Sequence, residues 1–392
     1  MWTFNLRKSI PKIVKEELVE YPTPLTLNYL WGFGSLSGIC LFFQILTGIF
    51  LAMHYTPHAE YAFFSVERIM RDINFGWFLR YFHSNGASFF FLAVYIHIAR
   101  SLFHFSFASP KQYLWMSGII IYILMVGTAF LGYVLPWGQM SFWAATVITN
   151  IITSLPLHDG GESLAIWLWG GFSVDNPTLN RFFSLHYALP FFIVALIFVH
   201  LFFLHKVGSS DPCLYAKDAD LIRFYPYFFL KDLFGFFIFF FCLCFFIFFA
   251  PNILGHPDNY IEANPLVTPK HIVPEWYFLP FYGILRSIHN KFLGIVTMSL
   301  ALLFLLFLPF FVIVNGKNLG YSYGLLTFRF RRIYRIVSVL FMGNFAILGW
   351  VGGQSVSENF LLLGSIGTFF YFLFFFIVFY LFRQDRNFFF LI

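Results

Sequence analysis

Charge is what this chain has least of. Asp, Glu, Lys and Arg make up 11% of its 392 residues, against about 25% in soluble domains. With 59% of residues hydrophobic, a soluble globular fold is excluded. Cysteine is sparse as well: Cys40, Cys213, Cys242 and Cys244 form no CxxCH for covalent haem and no CxxC pair for zinc, and they are read as packing residues without a redox role. No short apolar core precedes a small-residue cleavage site near the start. Arg7, Lys8, Lys12, Lys15, Glu16, Glu17 and Glu20 stand there instead, so no removable signal peptide is expected.

Long apolar runs are what the chain does have. Eight stretches can cross a bilayer core of about 30 Å. They run near Leu30 to Met53, Phe75 to His104, Tyr113 to Leu135, Phe182 to Leu204, Phe228 to Ala250, Phe292 to Val314, Ile333 to Val351 and Phe360 to Phe382, and are called spans A to H. Only helices or closed barrels satisfy the backbone in lipid, and runs of this length are helical. The expected fold is an all-α membrane protein with eight transmembrane helices. A diheme four-helix bundle (residues 1–210, spans A to D) precedes a C-terminal membrane domain (residues 211–392, spans E to H). The 62 phenylalanines fit a T-rich genome such as an organelle's.

With an even number of spans both termini share one side. That side carries 17 of the 24 Lys and Arg residues and the other carries 7. The positive-inside rule places the termini on the negative, matrix or cytoplasmic side. The net charge of +6 is read as orientation and anionic-lipid contact, not as nucleic-acid binding.

Four histidines carry the chemistry. His83 and His97 lie fourteen residues apart in span B, and His186 and His200 lie fourteen apart in span D. Fourteen residues are just under four helical turns, so each pair shares a face with members about 21 Å apart. Spans B and D run parallel, which sets His83 opposite His186 and His97 opposite His200. Gly34 and Gly48 in span A, and Gly118 and Gly132 in span C, repeat the interval. Glycine removes bulk where a flat macrocycle must lie against a helix. The pattern points to a membrane carrier of two stacked haems, each iron held between two imidazoles. Arg80 and Arg100 stand within a turn of the span B histidines and are candidates for the haem propionates. Pro190, midway between His186 and His200, is expected to kink span D.

Two connections hold further polar groups. Pro274-Glu275-Trp276-Tyr277 sets a carboxylate beside aromatics in the long E to F loop, after Pro257-Asp258-Asn259-Tyr260. Such a group is a candidate proton acceptor, or an ordinary interfacial acid. Gly132-Tyr133-Val134-Leu135-Pro136-Trp137-Gly138-Gln139 leads into an apolar, surface-lying helix. At the opposite end His205 and the pair Lys231-Asp232 could donate to and accept from a small carbonyl ligand, or serve as interfacial charges. Two other classes remain open from the residues alone. A transporter would use the four histidines as a proton relay, and a diheme anchor of another quinone-linked dehydrogenase would need fewer spans.

The residues from about Tyr21 to Gln354 resemble the mitochondrial cytochrome b family, the diheme subunits of ubiquinol-cytochrome c reductase (respiratory complex III). The resemblance is carried by His83-Ser84-Asn85-Gly86-Ala87-Ser88, the Gly132 to Ser141 run, Trp169-Gly170-Gly171-Phe172-Ser173-Val174-Asp175, Pro257 to Tyr260, Pro274 to Tyr277 and Trp350-Val351-Gly352-Gly353-Gln354.

The resemblance implies two non-covalent b-type haems, a low-potential one on His83 and His186 and a high-potential one on His97 and His200. It implies a Q-cycle in which ubiquinol is oxidised on the positive side and a quinone is reduced on the negative side. Glu275, Tyr277, Tyr133, Phe130, Ile148 and Pro274 would line the quinol site, with Glu275 as proton acceptor. His205, Ser209, Lys231 and Asp232, with Trp31 and Phe224 as walls, would form the quinone site. Implied partners are a Rieske iron-sulfur protein, a cytochrome c1 subunit, other complex III subunits and a second copy of this chain. The implied location is the mitochondrial inner membrane, with both termini in the matrix.

Three departures stand out. Ala144 stands where most relatives have glycine, and its methyl is expected to weaken strobilurin-type inhibition. Gly32 and Ser210 each replace an asparagine near the quinone-reducing site. The cluster Arg329, Arg331, Arg332 and Arg335 and the tail after Phe382 receive no catalytic part.

Overall fold

The computed structural model of the chain describes residues 12, 15–212, 220–312 and 328–389; Arg7, Lys8, Cys213 and the side chain of Arg329 lie outside the described residues. Twelve helices carry the described fold: α1 (Phe33–Ala52), α2 (Ala62–Asp72), α3 (Gly76–Phe103), α4 (Gln112–Val134), α5 (Gln139–Asn150), α6 (Glu162–Trp169), α7 (Asn176–Val207), α8 (Tyr227–Phe249), α9 (Leu279–Arg286), α10 (Lys291–Val312), α11 (Phe328–Gly352) and α12 (Glu358–Phe389). Eight are long and apolar enough to cross a membrane, and they fall on the eight expected spans. A two-stranded antiparallel ribbon departs from the all-helical expectation: β1 (Pro22–Pro24) pairs with β2 (Leu221–Arg223), with Thr23 opposite Ile222.

Helix starts follow local chemistry. α7 begins six residues before the expected Phe182 because Asp175 and Thr178 form a reciprocal capping box and Pro177 occupies the first turn. The helix then runs unbroken through Pro190. A 3₁₀ turn, Tyr29–Gly32, leads into α1, and the Asn28 side chain accepts from the Leu30 N–H at 2.9 Å.

In the N-terminal half α1 packs on α3 and α4 on α7. These two antiparallel pairs repeat one another. Few backbone contacts cross between them, so a slot runs through the middle of the bundle. α8 covers the outer side of α3 through Leu243 and Ile247 against Phe89.

The C-terminal helices build the main core. Buried aromatic side chains there send their polar tips to main-chain carbonyls, the requirement that lipid imposes. Trp115 Nε1 donates to Leu305 O at 2.7 Å, tying α4 to α10. Tyr371 Oη donates to Ala301 O at 3.0 Å, joining α12 to α10, and Tyr334 Oη donates to Leu102 O at 2.7 Å, joining α11 to α3. Cys40 is buried, Cys242 exposed and Cys244 half-buried, all as free thiols.

Candidate functional site: two histidine pairs and their flanking pockets

The slot is lined by the four histidines. His83 lies opposite His186 with ring centroids 6.2 Å apart, and His97 lies opposite His200 at 6.4 Å. Two metal–imidazole bonds of about 2 Å each, plus about 1.2 Å from each ring centre to its nitrogen, sum to about 6.4 Å. The rings therefore stand at the separation one metal atom between them demands.

Each ring is also held at Nδ1. Thr47 Oγ1, whose own proton goes to Phe43 O, accepts from His83 at 2.9 Å. Ser117 Oγ, bonded onward to Leu114 O, accepts from His200 at 2.9 Å. His186 Nδ1 donates to Thr128 O at 2.7 Å. In all three Nε2 is left as the nitrogen for a metal, and such outer bonds fix the tautomer a ligating histidine needs. His97 differs, because Arg100 Nη2 donates to its Nδ1 at 3.1 Å. That bond leaves the His97 proton on Nε2, so metal ligation requires Arg100 to turn away. Arg100 Nε is buried without a partner, and its guanidinium lies 5.0 Å above the Trp31 ring. A carboxylate arriving with a metal cofactor would give it a destination.

The glycines have a more specific role than clearance for a macrocycle. A Cβ on Gly34 would meet His97 Cε1 at 3.1 Å, on Gly48 His83 Cε1 at 3.1 Å, on Gly118 His200 Cε1 at 3.0 Å, and on Gly132 His186 closer still. Each glycine on α1 or α4 thus makes room for one imidazole on α3 or α7. Among the described residues no cluster of three or more His, Cys, Asp or Glu could hold a bare metal ion. Two opposed imidazoles suit a metal that brings its other ligands along, as haem iron does.

At the His83 end the slot opens into a cavity of about 550 Å³ that also touches Arg80, Tyr133, Glu275 and Tyr277. The loop carrying Glu275 is positioned by one face of α3, with Ser88, Phe91 and Tyr95 spaced at helical intervals. Trp276 Nε1 donates to Ser88 Oγ at 3.1 Å, the Tyr277 ring stacks on Phe91 at 4.0 Å, and Tyr95 Oη donates to Tyr277 O. Burial pushes the Glu275 carboxyl up to about 7, against the opposing pull of a hydrogen bond from Tyr133 and the Arg80 cation. Pro274 lines a smaller adjoining cavity with Glu275 and Tyr133. Phe130 and Ile148 are not part of either cavity lining: Phe130 packs edge-on against Phe182 at 5.9 Å, and Ile148 is half-buried on α5. Ala144 is buried on the same helix.

At the opposite end His205 Nδ1 bonds to Glu17 Oε2 at 2.6 Å, and Asp232 Oδ2 accepts from Ser35 Oγ at 2.6 Å. A Cβ on Gly32 would come within 2.8 Å of Asp232 Oδ1, so glycine here gives the carboxylate space an asparagine would fill. Lys231 is drawn to the rim, where Nζ donates to Leu27 O at 2.7 Å and lies over Tyr29. Trp31 Nε1 is buried without a partner. Ser209 is half-buried just past α7, and the Phe224 N–H donates to Tyr21 O at 2.9 Å beside the ribbon. Ser210 Oγ takes a hydrogen bond from buried Lys111 at 2.7 Å.

A family model for Cytochrome b/b6/petB matches residues 18–208, and one for Cytochrome b(C-terminal)/b6/petD matches residues 262–372. The cytochrome b of Chondrus crispus is 52% identical over 373 residues, 95% of each chain. The chain belongs to the cytochrome b family. The cytochrome b of Phytophthora megasperma is 55% identical over 360 residues, 92% of this chain and 91% of that one. Among solved structures, a chain of a hyperthermophilic respiratory Complex III superposes with a TM-score of 0.88 at 32% identity, covering 97% of this chain and 98% of the other. Membership makes the chain a haem-binding, multi-pass electron-transfer subunit of complex III, ubiquinol-cytochrome c reductase, in association with other subunits. It sets aside the proton-relay and anchor readings.

Sequence reasoning missed the groups that orient the rings. Thr47 and Ser117 each stand one residue before a slot glycine, and that repeated hydroxyl-glycine pair was the available signal. Glu17 and Ser35 were also missed; their partners lie 188 and 197 residues away and leave no local pattern.

Proposed function

We propose that His83 with His186 holds a low-potential b-type haem and His97 with His200 a high-potential one, both non-covalent. The observation that carries this is the opposed pairing of all four rings at one-metal spacing, each against its own glycine. Arg80 and Arg100 would take the propionates. Bound, the haems supply one-electron carriage between a ubiquinol-oxidising site and a quinone-reducing site, as a Q-cycle requires.

At the first site Glu275 accepts a proton from ubiquinol. A carboxyl near 7 can take that proton and release it again at working pH. Tyr133 and Arg80 hold the carboxylate, Tyr277 braces the loop on α3, and Pro274 supplies a wall; Phe130 and Ile148, which lie outside both cavity linings, are given no contact with the quinol. At the second site His205 and Asp232 bind the two quinone carbonyls, directly or through water. Ser209 and Lys231 add polar contacts there, while Trp31 and Phe224 form walls. Residues 1–210 act as the haem-binding unit and 211–392 as the unit carrying the Glu275 loop.

The bias of Lys and Arg supports termini on the matrix side of the mitochondrial inner membrane. In this orientation the Glu275 end faces the positive side, where a Rieske iron-sulfur protein takes one of the two electrons and passes it toward cytochrome c1. Two copies of the chain associate in the complex. Haem analysis of His186→Ala tests the reading: one haem per chain is expected, and two retained haems would overturn it.

A further inference from the structure

The side chain that grips His205 comes from far away in the sequence. Glu17 sits on the π-helical turn Lys15–Val19 and meets His205 Nδ1 at 2.6 Å. Four residues on, Tyr21 lies over the same imidazole, with ring centroids 4.7 Å apart and planes 24° from parallel. The β1–β2 ribbon that follows fixes this segment to the start of α8. His205 is therefore clamped on one edge and one face by a segment outside its own helix. Several other charged groups at this end have partners of their own. Asp211 Oδ1 accepts from Thr26 Oγ1 at 2.6 Å, Asp232 from Ser35, Lys231 donates to Leu27 O, Arg100 to His97, and Lys206 is exposed.

We propose that Glu17 is a positioning residue for quinone reduction, holding the His205 Nδ1–H so that Nε2 is presented to a quinone carbonyl oxygen and balancing the imidazolium when both nitrogens are protonated. This deepens the reading that His205 binds the quinone, and rests on it. A quinone reduced to quinol takes two electrons, which the electron-transfer activity delivers, and two protons. One proton leaves His205 Nε2 as the O–H bond forms, and His205 becomes neutral with its Nδ1–H still on Glu17. Water at this end reprotonates it, and the Glu17 side chain, 35% exposed, is open to that water. The second oxygen takes its proton at the Asp232 end from the same water. The pairing follows the logic of carboxylate–histidine couples, in which the carboxylate orients the ring and stabilises its cation.

The test uses the assembled complex in membranes, with the quinol-oxidising site blocked by a tight inhibitor and the b haems reduced beforehand. A short-chain ubiquinone is added and haem reoxidation is timed across a series of pH values. In Glu17→Gln reoxidation should slow about tenfold across the profile, because the charge-assisted bond that orients the ring is weakened. Glu17→Asp should return the rate part of the way. Glu20→Gln, which removes a charge paired with Lys15 at 3.6 Å in the same segment, should leave the profile in place. Haem content is measured in every variant and should not change. A wild-type profile in Glu17→Gln, with reoxidation abolished in His205→Ala, would overturn the proposal alone. A wild-type rate in His205→Ala would overturn the quinone reading beneath it.

Discussion

At the Glu275 end of the bundle, Glu275, Tyr277 and Tyr133 share one cavity of about 550 Å³ with His83 and His186. At the other end, His205 and Asp232 are each tied by a 2.6 Å bond to a side chain from another part of the fold, Glu17 and Ser35. The helices that make the two ends are near repeats, α1 with α3 and α4 with α7, so the difference comes from what covers them. A loop braced on α3 by Trp276 and Tyr277 walls in an acid whose carboxyl stands at about 7. The opposite end is covered by the N-terminal segment and the ribbon, which bring fixed charge partners. On the reading proposed above, one end would take a proton from a substrate under cover, and the other would exchange protons with nearby water.

The sharpest way to break the comparison is to remove one ring at a time. His186→Ala should eliminate the haem at the Glu275 end and spare the other, and His200→Ala should do the reverse; quinol oxidation should fall to background in both. Extracted haem per chain and reduced-minus-oxidised spectra check this. Next in size, Glu275→Gln should slow quinol oxidation about 100-fold. The wild-type rate should fall as pH is lowered through about 7, where Glu275 becomes protonated and can no longer accept, and this limb should vanish in the variant. Electron transfer through the His205 end should be unaffected, which separates the two ends.

The glycines sharpen the comparison within each helix pair. Gly132→Ala presses into His186 and should cost about 1–3 kcal/mol of stability with partial loss of haem. Gly34→Ala, with a 3.1 Å approach to His97, should cost less, as thermal unfolding of the two variants would record. Ala144→Gly should leave turnover near wild type and raise sensitivity to strobilurin-type inhibitors in a titration of quinol oxidation.

Much of this was legible in the sequence for physical reasons. A membrane span must be long and apolar, so all eight helices could be read from composition alone. Two helices with histidines fourteen residues apart must place them on one face. The equal spacing of the glycines in α1 and α4 was legible as clearance for a macrocycle, although their partners, an imidazole each, are set by the fold. The first turns of α7 were missed because Asn176 and Thr178 are polar, and hydropathy does not register a helix that starts on a capping box. The ribbon and the Glu17 contact were illegible because each joins segments nearly 200 residues apart. Lys231 shows the opposite case: the residue was legible as a candidate, but its donation to Leu27 O could be learned only from the fold.

The central claim is that the slot holds two haems, one between each opposed histidine pair. A redox titration of the purified complex, followed by reduced-minus-oxidised optical spectra with extracted haem counted per chain, tests it most directly. Two non-covalent b-type haems titrating at separate potentials are predicted. A single haem, or none, would contradict the pairing of His83 with His186 and of His97 with His200.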